Sequence, residues 1–222
     1  MKRSLLLIFA IPVLLAAGCN NGTGPPAQSP QIMPLAIGNE WIGQVTEYNT
    51  QGNPDSTRLD TLRILKSEVV NGETWYYMNV FWIYGADTNH GWFTNRSDGL
   101  YTCDSEHFAQ SYRYAKYPAT PGEWVVILQN DSGPPGYWSI YGRTVDTTNL
   151  SVTVPAGIFQ CDVYSIVSAS QDWDVLTSVA TPGEYYSPNV GLVQFGYFNP
   201  DGTHNKFATP DRTWQLVHAI LH

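Results

Sequence analysis

Residues 73–84, ETWYYMNVFWIY, constrain the fold more than any other part of the chain. In an extended strand alternate side chains point to opposite faces. Tyr76, Met78, Val80, Trp82 and Tyr84 then share one face, while Trp75, Tyr77, Phe81 and Ile83 share the other, so neither face is polar. Such a strand must be covered on both sides, or one side must line an apolar cavity. A strongly curved antiparallel sheet, a half-barrel or a barrel supplies both environments within one domain. A β-sandwich, the alternative, leaves the outer face of each sheet wet. The expected fold is therefore all-β, an antiparallel meander curving on itself, with Tyr76, Val80 and Trp82 as candidate lining of an interior cavity.

The remaining sequence fits that class. Asn71-Gly72, Asp98-Gly99 and Asp201-Gly202 are hairpin signals, because these residues tolerate the positive φ that matches the twist of paired strands. Gly52-Asn53-Pro54 and Gly133-Pro134-Pro135-Gly136 mark longer turns. Between them the pattern predicts strands at 40–48, 58–69, 73–84, 91–94, 100–104, 109–117, 123–129, 137–145, 151–154, 158–168, 174–179, 191–198 and 213–221. Leu59, Leu62, Leu65 and Val69 also fit a helical stripe, but Leu62, Ile64 and Lys66 alternate and an Asn-Gly turn follows, so a strand is preferred. In the last run Trp214, Leu216 and Ile220 are expected on one side, with Thr213, Gln215 and Val217 on the other.

Ahead of this domain Lys2 and Arg3 precede an apolar run, 5–17, interrupted only by Pro12, and small residues lead into Cys19. The run is shorter than the roughly 20 apolar residues of a membrane-spanning helix and has the layout of a secretory signal. Its ending, Leu15-Ala16-Ala17-Gly18-Cys19, resembles the bacterial lipobox, in which the thiol receives diacylglycerol and cleavage before it makes the cysteine residue one. Ala16 stands where Leu is commoner. Residues 20–31, rich in Gly, Pro, Asn and Ser, hold too few apolar groups to offset the entropy of ordering and read as a flexible tether. The expected organisation is a lipoprotein signal peptide at 1–18, a lipidated tether at 19–31 and a single β domain at 32–222. Asn20, in place of the Asp that favours inner-membrane retention in enterobacterial lipoproteins, points to the outer membrane if the organism has two.

Four segments, PLAIGNEW (34–41), KYPATPGEW (116–124), VPAGIFQC (154–161) and YYSPNVGLVQF (185–195), together resemble poorly characterised bacterial envelope lipoproteins of the TapB-like kind. That resemblance implies a secreted, lipid-anchored β protein with the open half-barrel of lipoprotein carriers, and no established reaction. Taken as residues, the same segments are fold determinants. Pro155 and Gly157 make a turn that cannot continue a ladder, and Gly191 allows a close approach or positive φ before a strand resumes.

The net charge of −8, more acidic still without Lys2 and Arg3, repels polyanions and argues against a nucleic-acid partner. Cys103 and Cys161 are a candidate disulfide in an oxidising compartment, although Cys161 alternates with Phe159 and Val163 like a buried thiol. No GxSxG, HExxH or CxxC is present, and Gly191 to Gly196 lacks the lysine of a phosphate loop. His90, His107, His204, His218 and His222 are scattered without ligand spacing, so no metal or other cofactor is expected. Asp201 and Asn205 fit a turn better than half a calcium loop. Asp172 and Asp174 around Trp173 are a carboxylate pair that a hydrolase, the least favoured alternative, could use as acid and base if a strand sets them on one face, whereas in a loop the pair is merely solvated. Eight Trp and fourteen Tyr raise a carbohydrate-binding surface as the alternative function, although aromatics are also good strand formers. The preferred expectation is a non-catalytic lipoprotein of the cell envelope, joined to the membrane through Cys19 and binding an apolar ligand or envelope component, or serving structurally.

Overall fold

The computed structural model describes residues 31–81, 88–103, 108, 111–130, 139–170, 181–197 and 211–222. Twelve strands run in chain order: β1 (Glu40–Tyr48), β2 (Pro54–Val70), β3 (Glu73–Phe81), β4 (Thr88–Arg96), β5 (Gly99–Cys103), β6 (Tyr112–Lys116), β7 (Trp124–Asn130), β8 (Ser139–Val154), β9 (Gly157–Ser170), β10 (Thr181–Ser187), β11 (Gly191–Tyr197) and β12 (Arg212–Ile220). They form one antiparallel sheet in the order β6-β5-β4-β3-β2-β1-β12-β11-β10-β9-β8-β7. The sheet is a nearly closed barrel with one unsealed seam, a single sheet and not two packed ones, so the sandwich alternative is not the fold.

Closure falls in an unusual place. The first and last strands pair in mid-sheet, from Glu40 opposite Ile220 to Glu47 opposite Arg212. The seam lies between β6 and β7, which follow each other in sequence yet form the two edges. Because every pairing is antiparallel, each link from an even strand to the next odd one lies at the same end of the barrel, together with the start of β1 and the finish of β12. These links are short: 71–72, 97–98, 117–123, 155–156 and 188–190. We call this the turn end. The opposite, loop end carries 49–53, 82–87, 104–111, 131–138, 171–180 and 198–211, of which only 49–53 is described throughout.

The doubly apolar strand is accommodated as its pattern requires. Met78 is buried in the main core and Tyr76 packs against it. That core draws buried side chains from every strand except β7 among the described residues, including Trp41, Ile64, Phe93, Leu100, Tyr164, Val193 and Trp214. On the other face, Trp75 and Trp92 are buried with Cys103, and Tyr77, Tyr101, Val70 and Phe108 pack on them. Phe108 lies 5.3 Å from both indole rings. The Lys66 ammonium sits 4.9 Å from the Tyr77 ring and 5.0 Å from that of Trp92, and the Arg96 guanidinium 4.1 Å from Tyr101. Cation–π contacts and long aliphatic stems thus finish a cover that a polar face would have made unnecessary.

Several elements differ from expectation. β2 is a strand of 17 residues in which Leu62 and Ile64 are buried, while Leu59, Leu65 and Val69, three of the four helical-stripe positions, are exposed. The strands expected at 137–145 and 151–154 are one, β8, whose register with β9 shifts between Val145 and Thr147 and again between Thr147 and Leu150. β10 is not among the expected strands; its Pro182 and Gly183 are taken up in an irregularity where the register skips Gly183. The strand expected at 174–179 lies outside the described residues. At the end of β12, Ala219 and not Ile220 packs with the core. The pairing skips Val217 between Ile42 and Gly43, which flips the alternation by one residue. Gly43 is required there: a Cβ on it would stand 1.9 Å from Cε2 of Trp214, whose ring occupies the space.

The candidate disulfide is not formed. Cys103 and Cys161 are both buried thiols, one in the outer aromatic cluster and the other in the main core, so the sheet separates them. Burial pushes the Cys161 thiol up to about 12. Neither thiol should react with a maleimide at neutral pH in the native protein, and both should react in denaturant. Labelling of Cys103 or Cys161 in the folded chain, located by peptide mass so that Cys19 is told apart, would show the core to be open.

Candidate functional site

The least ordinary chemistry in the described residues lies inside the barrel beside the seam. Paired residues trace one ring of the interior through Val45, Trp214, Phe195, Glu184, Tyr164 and Val145. Glu184 is the charged member of that ring and is 1 % exposed. Two residues before Val145 on the same face of β8, Arg143 reaches across β9 to it. Its Nε donates to Glu184 Oε2 at 3.0 Å and an Nη to Oε1 at 2.8 Å, the forked geometry that guanidinium and carboxylate favour.

Tyr114 on β6 completes the cluster from the far side of the seam. Its hydroxyl donates to Glu184 Oε1 at 2.7 Å, and its ring lies 3.6 Å beneath the Arg143 guanidinium. Burial, reinforced by the Glu184 carboxylate, holds the Tyr114 and Tyr186 hydroxyls well above the ordinary tyrosine range, so both stay protonated. A second link crosses nearby, where the Tyr164 hydroxyl donates to the Lys116 carbonyl at 2.5 Å. Lys116 in turn pairs with Glu123 at 3.2 Å across the 117–123 link. Side chains therefore close the barrel where the backbone ladder stops. With both carboxylate oxygens engaged by the fork and the tyrosine, this arrangement fixes geometry and offers no evident base or nucleophile.

The turn end is the other organised region. Residues 31–39 cross it before β1 begins, with Ile32 and Met33 buried. Asn95 Nδ2, at the end of β4, donates to the Met33 carbonyl at 2.8 Å, and the Asn189 N–H, between β10 and β11, donates to the Gln31 carbonyl at 2.7 Å. The segment is thus strapped to both sides of the barrel mouth. Buried Asn39 ties it to the C-terminus: its Nδ2 donates to the Pro34 carbonyl at 3.0 Å, and its Oδ1 accepts from the His222 N–H at 2.8 Å. The β8–β9 hairpin leans over the same end, its Ala156 N–H donating to Leu216 O at 2.9 Å, with Val152, Val154 and Cys161 in the core.

All four segments of the lipoprotein-like signature, 34–41, 116–124, 154–161 and 185–195, converge on this end. Gly191 serves both expected purposes there. Its φ is +99°, and a Cβ on it would lie 2.8 Å from Trp41 Nε1.

Of the sequence-predicted site residues, Tyr76 is half-buried against the core. The Val80 backbone pairs with Asn89 in the β3–β4 ladder, while its side chain, Trp82 and Cys19 lie outside the described residues, as do Asp172, Trp173 and Asp174. Of the described tryptophans that suggested a sugar platform, Trp41, Trp75, Trp92 and Trp214 are buried in packing and Trp124 is exposed. Sequence reasoning missed Arg143, Glu184 and Tyr114. A usable signal was present, since in a chain of only 14 % charged residues Arg143 falls in phase with Val145, and Glu184 with Tyr186, on apolar faces.

No protein-family model matches the chain, and no curated protein matches it. Among solved structures, it is similar to a "putative exported protein with YmcC-like fold" from Bacteroides fragilis NCTC 9343, at 15 % identity and a TM-score of 0.45 over 85 % of this chain and 98 % of that one. It is also similar to a "putative lipoprotein" from Parabacteroides distasonis ATCC 8503, at 14 % identity and a TM-score of 0.36 over 87 % of this chain and 100 % of that one.

Proposed function

We propose that the chain is a non-catalytic lipoprotein of a bacterial cell envelope, held on the membrane through acylated Cys19. Its barrel domain, 32–222, binds an apolar ligand or envelope component there, or has a structural part. The observation that carries this reading is the junction at Gln31. A signal-like apolar run, a lipobox-like cysteine and a polar tether lead directly into Ile32 and Met33, which are buried at the turn end and strapped by Asn95 and Asn189. Such a junction transmits the position of an anchor to a rigid body. The saturated pairing of Arg143 and Glu184 accords with a non-catalytic role.

The expected result of Cys19→Ser is loss of lipid incorporation and a shift of the protein from the membrane fraction to the soluble or unprocessed fraction, because acyl chains supply about 0.8 kcal/mol per buried methylene. Fractionation with radiolabelled palmitate checks it. Unchanged processing and partition would refute the anchor, and with it the proposed location.

A further inference from the structure

The turn end gathers most of the exposed large apolar side chains of the described residues. Of the nine large apolar side chains exposed among the described residues, all but Leu59 lie on the turns of this end or on the strand segments leading into them. Ile158 is 70 % exposed beside the β8–β9 turn, Val69 68 % beside the β2–β3 turn and Ile37 56 % ahead of β1, while Trp124 and Leu221 flank the seam and the C-terminus. Apolar groups gathered at one end of a molecule mark an interaction surface, whereas the same groups scattered singly would need no explanation.

The turn end carries little net charge. Four ion pairs neutralise most of its ionised groups, Arg63 with Glu40 at 2.7 Å, Arg96 with Glu73 at 2.7 Å, Arg113 with Asp98 at 2.9 Å and Lys116 with Glu123 at 3.2 Å, while exposed Lys66, seated on the Tyr77 and Trp92 rings, and exposed Glu68 offset one another in sign. Gln31 lies on the turn end only 12 residues beyond Cys19, so a tether anchored there would keep this end nearer the lipid.

We infer that the turn end docks on the bilayer interface, with Ile37, Val69, Ile158 and Leu221 inserted among the lipid headgroups and Trp124 at their level, so that the loop end faces away from the membrane. This inference rests on the anchor at Cys19. Its partner is a zwitterionic lipid surface: attraction comes from apolar area, and the paired charges give an anionic surface nothing to hold.

The test uses the lipidated mature chain and its lipidated Val69→Ser/Ile158→Ser/Leu221→Ser variant, both bound to phosphatidylcholine vesicles. The readout is amide hydrogen exchange. In the unsubstituted protein, amides at 69–73 and 156–158 should exchange about tenfold more slowly than in the variant, with little change on raising salt, while those at 49–53 match. A Leu59→Ser chain should behave like the unsubstituted one. Equal exchange at the turn end in both proteins, with both in the vesicle pellet, overturns docking and leaves the anchor standing. Failure of the mature chain itself to acquire lipid and pellet would instead remove the anchor. If the triple variant keeps its vesicle protection but loses a protein partner, the surface serves that protein and the inference is wrong. Near-ultraviolet circular dichroism verifies that the variant, altered only at exposed positions, is folded.

Discussion

Glu184→Ala is expected to lower the free energy of unfolding by about 3–5 kcal/mol, read from urea denaturation, because it takes the forked carboxylate away from a buried guanidinium. Arg143 and Glu184 have side chains only 5 % and 2 % exposed, so water does little to screen either charge. Removing the carboxylate leaves Arg143 without its forked acceptor and the Tyr114 hydroxyl without the oxygen it donates to. The pair itself need not be a large net stabiliser, since desolvation offsets much of the attraction. A double change to apolar residues, Arg143→Met with Glu184→Leu, should therefore recover much of what the single change loses. A loss below about 1 kcal/mol in Glu184→Ala would mean that water reaches the cluster and that side chains do not close the seam.

Trp41→Ala should cost a similar amount, about 3–5 kcal/mol, through a different physical route. The indole is fully buried, its Nε1–H donates to the Val190 carbonyl at 2.5 Å, and Gly191 leaves the space it fills. Alanine removes the ring from the place where residues 31–39, the β10–β11 turn and the start of β1 meet. The surroundings can collapse little, because Met33 and Val193 belong to the same packed core. Trp41→Phe keeps much of the volume and forfeits the hydrogen bond, so it should cost distinctly less, about 1–3 kcal/mol. Calorimetric melting of the three proteins should rank them wild type, Phe, Ala. Near-equal melting of the alanine variant would contradict a rigid junction at the turn end.

Much of this architecture was legible before any coordinates. The 73–84 segment demanded two dry environments, and the barrel supplies them as a core on one side and an outer aromatic cluster on the other. Asn71-Gly72 is a tight turn with φ of 53° and 82°, as its chemistry requires. Failures occurred where tertiary structure overrules local pattern. Pro182 and Gly183 break a strand on propensity, yet an irregular register absorbs them between two neighbours that already fix the sheet. Ile220 lost its expected place to a skipped residue that no single-strand periodicity reports. Cys103 and Cys161 offered no information about distance, and only the fold sets them on opposite sides of a sheet. The interior cluster stayed hidden because its members are 29 to 70 positions apart, brought together by closure of the barrel.

The meeting of β1 with β12 in mid-sheet sets the order of assembly. A polypeptide threaded N-terminus first across a membrane releases β1–β6 early, as a six-stranded meander whose β1 edge has no mate. That edge must wait until the final nine-residue strand emerges. During the interval its unpaired amides and carbonyls can template pairing with other chains. The pairing most distant in sequence among the described strands is also the one that unites the two halves of the sheet, which makes a slow, topology-limited final step.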